Sequence, residues 1–232
     1  MNKLSDYPKT YCPFVRKTYK VNKDDWKKHG RKLQLRSPDV YLVTPEVTPG
    51  FEWVFEDKNT TAVEKLDGTN VKLETENGRL VSLYNRKNPI DMLDISGGKG
   101  RTAIVEAIFM AVAKKYIERD GVQAGEVIGK YLQGNPYNLD GHIWYPFEKA
   151  NKHLSYRSWH EHERTYENLS SWFKDFLFSR FATKRGDKGI MAEGVIFYNQ
   201  ARKDERKEIY RAKLRRDMFS WFYDDKIEIY YE

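Results

Sequence analysis

Apolar positions along the chain change period more than once, and those changes outline the architecture. Val71-Lys72-Leu73-Glu74-Thr75 and Arg79-Leu80-Val81-Ser82-Leu83-Tyr84 alternate around Asn77-Gly78. Alternation of period two marks strands, and Asn-Gly is the strongest short hairpin signal because both central residues of the tight turn take positive φ. Ile104, Val105, Ile108, Phe109, Val112 and Tyr116 recur at helical spacing instead, which predicts an amphipathic helix over residues 102–118. A second long helix is expected between Ser158 and Arg180. Ser158 and Glu161 have capping-box spacing, and Leu169, Trp172, Phe173, Phe176 and Leu177 make its stripe. Both stripes read as core.

Short strands are expected over residues 126–132, 142–147, 193–198, 210–215 and 226–231. Pro38, Pro45 and Pro49 break the preceding segment into extended pieces and turns. With no internal repeat, the pattern reads as α+β, antiparallel sheet with flanking helices. Residues 45–232 form this domain, and residues 1–44 are a basic segment packed on or preceding it.

Composition narrows the picture. A chain of 232 residues can bury one substantial core. A formal charge of +7 suits a polyanionic partner, because lysine and arginine neutralise phosphates; an ordinary basic enzyme fits the charge equally well. Sixteen tyrosines and six tryptophans fill the core and leave some rings to stack on bases. The basic, aromatic-interleaved run from Lys17 to Lys32 either grips a phosphate backbone or is a solvated face. Cys12 is the sole cysteine, which excludes an internal disulfide and a cysteine-based zinc site and fits a reducing cytoplasm. No apolar run approaches the roughly 20 residues that span a bilayer, and Met1–Pro13 lacks the apolar stretch of a signal peptide.

The chemistry gathers around Lys65, in Val63-Glu64-Lys65-Leu66-Asp67-Gly68-Thr69-Asn70. Arg86 follows the predicted hairpin, so one antiparallel pair can bring Lys65 and Arg86 to the same rim. Further on come Gly125-Glu126-Val127-Ile128-Gly129, Glu193-Gly194-Val195 and Lys213-Leu214-Arg215. A lysine attacks phosphorus only as the free amine, and burial among cations favours that form. Lys213 and Arg215, two apart on a predicted strand, face the same side and can reach one phosphate. Glu193 is a candidate ligand for a divalent metal, directly or through water. Together these residues equip a site for covalent nucleotidyl transfer.

Three other patterns carry less. Gly97-Gly98-Lys99-Gly100-Arg101-Thr102 lacks the spacing of a phosphate loop and reads as a helix entry. His160 and His162 lie two apart and would face different directions on a helix, and Asp91 and Asp94 sit in a loop without metal partners.

In order and spacing, these motifs resemble the covalent nucleotidyltransferases, the superfamily of DNA ligases, RNA ligases and mRNA capping enzymes. Lys65-Leu66-Asp67-Gly68 resembles the nucleophile motif, with Arg86, Glu126, Phe147 in Tyr145-Pro146-Phe147-Glu148, Glu193 and Lys213-Leu214-Arg215 matching the motifs that follow. Glu64 and Thr69-Asn70 around the nucleophile, Gln133-Gly134-Asn135-Pro136-Tyr137, and Arg215-Arg216-Asp217-Met218-Phe219 are similar to the ATP-dependent RNA ligase versions.

The resemblance implies a nucleotidyltransferase fold, the ATP-grasp-like ligase adenylation domain. It implies that ATP adenylylates Lys65, with magnesium or manganese supported by Glu193. Glu64 would receive the adenine amino group, Phe147 would stack on the base and Glu126 would hold the ribose hydroxyls. Arg86 and Asn70 would act around the phosphate and metal water, and Lys213 and Arg215 would hold the α-phosphate. The partner would be RNA with 5′-phosphate and 3′-hydroxyl ends.

Two departures stand out. Arg215 replaces the family's usual second lysine, and only 17 residues follow it, too few for a C-terminal oligonucleotide-binding barrel. The grip on substrate is then expected from the N-terminal residues, the helices, a homodimer or a partner protein. So compact a ligase would suit a phage or a microbe. The alternatives are a DNA or mixed-duplex ligase, a capping guanylyltransferase, and a nucleic-acid-binding module without turnover.

Overall fold

A computed structural model describes residues 9–30, 33, 35, 37–92, 96–161, 163–203, 209–224 and 226–231. Arg31 and Lys32 of the basic run, Asp94 of the acidic loop and His162 lie outside the described residues. In chain order the first elements are β1 Phe14–Val21, α1 Lys23–His29, β2 Asp39–Val47, α2 Trp53–Glu56 and β3 Thr60–Lys65. Then come β4 Thr69–Glu76, β5 Arg79–Asn85, β6 Asn88–Pro89, α3 Lys99–Ala113, β7 Gly121–Gly129, β8 His142–Pro146 and α4 Phe147–His153. The last are α5 Tyr166–Ser171, α6 Arg180–Lys184, β9 Gly194–Lys203, β10 Ile209–Arg215 and β11 Ile229–Tyr230. All strand pairs among these elements are antiparallel, so the chain is α+β as the periodicities predict.

The chain divides into two compact units that alternate along the sequence, and Lys65 and Leu66 lie on either side of one of the boundaries. One unit holds Leu66–Ser155 and Arg180–Ile190. Its sheet has the order β6-β5-β4-β7-β8. Asn77 and Gly78 take φ of 52° and 76°, the doubly left-handed turn expected of Asn-Gly, and the strands on either side pair as read. α3 covers this sheet with Ala103, Ile104, Ala107 and Ile108, which pack on Val71, Leu73, Val127 and Trp144.

α3 ends five residues earlier than the apolar pattern predicts. Lys115 turns left-handed at φ 54°, Tyr116 N–H reaches Ala111 O at 2.9 Å, and Lys115 N–H reaches Val112 O at 3.0 Å, which closes the helix. The buried stripe is also rotated. Phe109 and Val112, expected inside, are 63% and 55% exposed.

The other unit holds Thr10–Lys65, Tyr156–Ser179 and Met191–Glu232. It contains two three-stranded sheets, β11-β1-β2 and β10-β9-β3. Its core joins Ala62, Val195, Phe197, Ala212 and Leu214 to Trp159, Trp172, Phe173 and Leu177, with the Trp159 and Phe197 rings 4.9 Å apart.

The long helix expected from Ser158 to Arg180 is replaced by short pieces. A 3-10 turn over Arg157–His160 ends before α5, whose cap is Thr165, accepting from Asn168 N–H at 3.3 Å, rather than Ser158. The turn over Trp172–Phe176 is then widened to a π-helix. Leu169, Trp172 and Phe173 keep helical spacing and are buried, whereas the widened turn leaves Phe176 65% exposed. Three bulky aromatic rings must reach one core, and a straight helix would not deliver Trp159 and Trp172 to it together.

β1, in the basic N-terminal segment, and β2, in the region read as broken by prolines, pair from Lys20–Asp39 to Phe14–Val47. Pro45 is tolerated because the register shifts there, between Phe14 and Arg16 on the facing strand. β2 therefore runs through the boundary expected at residues 44 and 45. Among the described residues, no helix is long and apolar enough to cross a membrane.

Candidate active site

Strand register explains how Lys65 meets its partners. β3 and β10 flank β9, and Lys65, Gly194 and Arg215 lie in one row across the three strands. Val63, Ile196 and Lys213 form the next row on the same face, since directly opposed residues share a face and alternate residues return to it. The opposite face carries Ala62, Val195, Phe197, Ala212 and Leu214 into the core. One side of the sheet is thus largely apolar, and the other carries Lys65, Lys213 and Arg215.

Glu193 directly precedes β9, and its carbonyl accepts from Arg216 N–H at 3.0 Å, which fixes it at the end of the row. Its carboxylate forms an ion pair with the Lys65 ammonium and lies 3.9 Å from the Arg215 guanidinium. Gly194 has a physical reason to be glycine. A Cβ there would stand 2.2 Å from Leu214 O and 2.8 Å from Arg215 Cα. Only a residue without a side chain lets the strands close at this row.

Lys213 is held below the usual lysine range, first by burial and then by the neighbouring Arg215 and Lys65 charges. Arg16 of β1 adds to this repulsion. Folding therefore disfavours charged Lys213. The penalty is absent above the ordinary value of 10.5, grows as pH falls toward the lowered value and is complete below it. Lys213→Met should accordingly be at least as stable as the parent at pH ~7, with the difference shrinking toward pH ~10, as urea denaturation at both pH values would read.

Asp217 sits behind Arg215. Its Oδ1 is 3.0 Å from Arg215 Nε, but off the N–H direction, so the contact is an ion pair rather than a directed hydrogen bond. Burial raises the Asp217 carboxyl above its ordinary value, and the Arg215 charge opposes that rise.

Glu64 occupies the row of Val195 and Leu214, one step from Lys65 and so on the core-facing side. It is 2% exposed and accepts from Ser179 Oγ at 2.6 Å.

The remaining candidates lie in the other unit. Asn70, Glu126 and Tyr145 form one row across β4, β7 and β8. Arg86 follows β5 at φ 55° and donates its N–H to Asn70 O at 3.2 Å. Phe147 opens α4, one residue beyond the Pro146 that pairs with Gly125. Asn70 Oδ1 is buried and has no hydrogen-bond partner among the described residues.

The Asp67-Gly68 turn is held by residues from the Gln133–Tyr137 stretch: Asp67 N–H donates to the Tyr137 hydroxyl at 2.9 Å, and Gln133 Nε2 to Gly68 O at 3.3 Å. A Cβ on Gly68 would lie 2.2 Å from Val127 O, so this glycine too marks a close backbone approach.

The expected residues therefore form two groups. Lys65, Glu193, Lys213 and Arg215 converge in one unit, with Glu64 on the reverse of their sheet; Asn70, Arg86, Glu126 and Phe147 are gathered along one sheet of the other. Arg16 and Ser179 carry no motif and were not legible as site residues. Asp217 had a signal, a carboxylate two positions after Arg215, but it stood only as part of a similar string.

Among the described residues no three histidine, cysteine or acidic side chains cluster as a metal cage. The single Glu193 carboxylate nonetheless fits a magnesium-type ion, which takes one or two carboxylates and fills its shell with water and phosphate oxygens.

No protein-family model matches the chain. No curated protein matches it. Among solved structures, it is similar to an arginine-to-alanine mutant of a Naegleria gruberi RNA ligase with ATP and Mn, at 16% identity and TM-score 0.43, over 76% of this chain and 55% of that one. The Naegleria gruberi RNA ligase with PPi gives 16% identity and TM-score 0.42, over 75% of this chain and 53% of that one. The chain thus spans about half the length of the ligase structures it matches.

Proposed function

We propose that this chain is an ATP-dependent RNA ligase that works through a lysyl-AMP intermediate on Lys65. The observation that carries the reading is the row formed by Lys65, Gly194 and Arg215, with Glu193 paired to Lys65 and Lys213 one row away on the same face. Lys65, Lys213 and Arg215 clustered in two adjacent rows repel one another, and a bound triphosphate would relieve that repulsion. In the other unit, the buried Asn70 Oδ1, with no partner among the described residues, is an acceptor suited to a ligand donor or a metal-bound water.

Lys65 Nζ, once it has released its proton to solvent, forms a phosphorus–nitrogen bond to the α-phosphate of ATP, and pyrophosphate leaves with the electrons of the broken phosphorus–oxygen bond. Lys213 and Arg215 sit where charge accumulates on the phosphate oxygens, and fixed cations stabilise that charge without reorganising. A divalent ion held by Glu193 would add electrostatic stabilisation at the phosphates. An RNA 5′-phosphate oxygen then takes the adenylate and releases Lys65. A 3′-hydroxyl attacks the activated 5′-phosphate, joining the strands and freeing AMP.

The test is incubation with magnesium and α-labelled ATP or GTP. Label from ATP that survives alkali and is lost in acid, as a phosphoramidate should be, supports the reading. GTP labelling would indicate a capping guanylyltransferase, and no labelling by either nucleotide would indicate a binding module. Nicks with RNA or DNA on each side, and single-stranded ends, then define the strand preference.

A further inference from the structure

The β11-β1-β2 sheet turns a face of unusual composition to solvent. Register places Thr18 opposite Tyr41, and Lys20 opposite both Asp39 and Tyr230, so these residues share one face with Arg16. Tyr41 and Tyr230 are 50% and 48% exposed. The Arg16 guanidinium lies over the Tyr41 ring, 5.7 Å from its centroid and within cation–π range. Lys20 is paired with Asp39 at 2.8 Å, which makes Arg16 the principal cation of the face.

The opposite face of this sheet supplies Val21, Val40 and Leu42 to a core closed by Tyr223, and on the Arg16 side Val43, directly opposite Arg16, is buried in the second core while Thr18, Tyr41 and Tyr230 stay outside it. Exposed tyrosines on such a face contribute nothing to that core.

The strand that carries this face starts beside the proposed phosphate site in the same unit. Tyr11 O accepts Lys213 N–H at 2.8 Å at the edge of β10, and the chain then enters β1 and reaches Arg16 within the same unit. Arg16 lies five residues beyond Tyr11 along that strand.

We propose that the Arg16, Thr18, Tyr41 and Tyr230 face is a platform for single-stranded RNA, on which two bases stack while the backbone runs toward Lys213 and Arg215. This rests on the ligase reading above and assigns the substrate grip to a specific surface. Tyr41 and Tyr230 lie two strand spacings apart and two residues out of step, about 10 Å across and about 7 Å along the strands. That separation suits bases of nearby nucleotides. Cation and aromatic faces together are what an unpaired, negatively charged strand recognises, and every base has a face to stack.

Binding of a short fluorescent 5′-phosphorylated oligoribonucleotide tests the platform. Tyr41→Ala and Tyr230→Ala should each weaken binding by about 10-fold or more, while Tyr41→Phe and Tyr230→Phe keep the stacking surface and bind like the parent. Self-labelling with ATP should be unchanged in all four, because none touches the Lys65 row. Alanine variants that bind as the parent does, or phenylalanine variants that lose as much as alanine, would overturn the platform. A change of oligomeric state in the alanine variants would overturn it in favour of a second copy of the chain on this face. Failure of the parent to label with ATP would count against the ligase reading alone, since the RNA comparison is read without nucleotide.

Discussion

Lys65→Arg should fold normally and yet lose all covalent labelling by ATP. Arginine keeps a cation opposite Glu193, so the ion pair of the parent has a replacement, and stability should change by no more than about 1 kcal/mol. The guanidinium stays protonated at any accessible pH and has no free electron pair to offer phosphorus. Loss of labelling with retained fold therefore separates the nucleophile from its charge. Lys65→Ala should also abolish labelling, but it leaves Glu193, whose side chain is only 20% exposed, without its lysine. That variant should lose about 1–3 kcal/mol of stability as well. Labelling is read on a denaturing gel after acid and alkali treatment, and stability by urea denaturation. Arginine-variant labelling at the parental level would place the covalent bond on another residue and remove Lys65 from the chemistry.

What could be read from residue order was mostly local. The Asn77-Gly78 hairpin, the strand ending at Arg215 and the same-face placement of Lys213 and Arg215 all follow from period-two alternation and turn chemistry, which act within a few residues. The β11-β1-β2 sheet was only half legible. A strand was expected over residues 226–231, but its pairing of Tyr230 with Lys20 joins opposite ends of the chain, and no local pattern encodes that. The helix expected after Ser158 failed for a related reason. Its apolar spacing was right for one turn of helix, but the demand that Trp159, Trp172 and Phe173 pack together outweighed helical continuity. Arg16 was invisible as a site residue because only tertiary structure brings β1 near Lys213. Glu64 illustrates the reverse: adjacency to Lys65 in sequence means opposite faces in a strand, and its side chain meets Ser179 on the core side.

Gly194→Ala should be among the most damaging single substitutions in the chain. The added carbon would meet Leu214 O at 2.2 Å and Arg215 Cα at 2.8 Å, both backbone atoms of the neighbouring strand, so no rotamer change relieves the clash. β9 and β10 must separate at the row that holds Lys65 and Arg215. Overpacking of a closed interior costs about 1–3 kcal/mol, and backbone-to-backbone overlap belongs at or above the upper end. At about 2–4 °C per kcal/mol for a domain of this size, the midpoint of thermal unfolding should fall by roughly 10 °C. Labelling by ATP should be lost even in the folded fraction, because the spacing between Lys65 and Arg215 sets the grip on one phosphate. Gly100→Ala is the matched control. Nothing lies within 4 Å of its added carbon, and the position is in the first turn of α3, where alanine fits the helical backbone. That variant should unfold at or above the parental temperature and label normally. A Gly194→Ala protein as stable as the Gly100→Ala protein would mean that β9 and β10 do not approach as described, and the row of Lys65, Gly194 and Arg215 would then have to be abandoned.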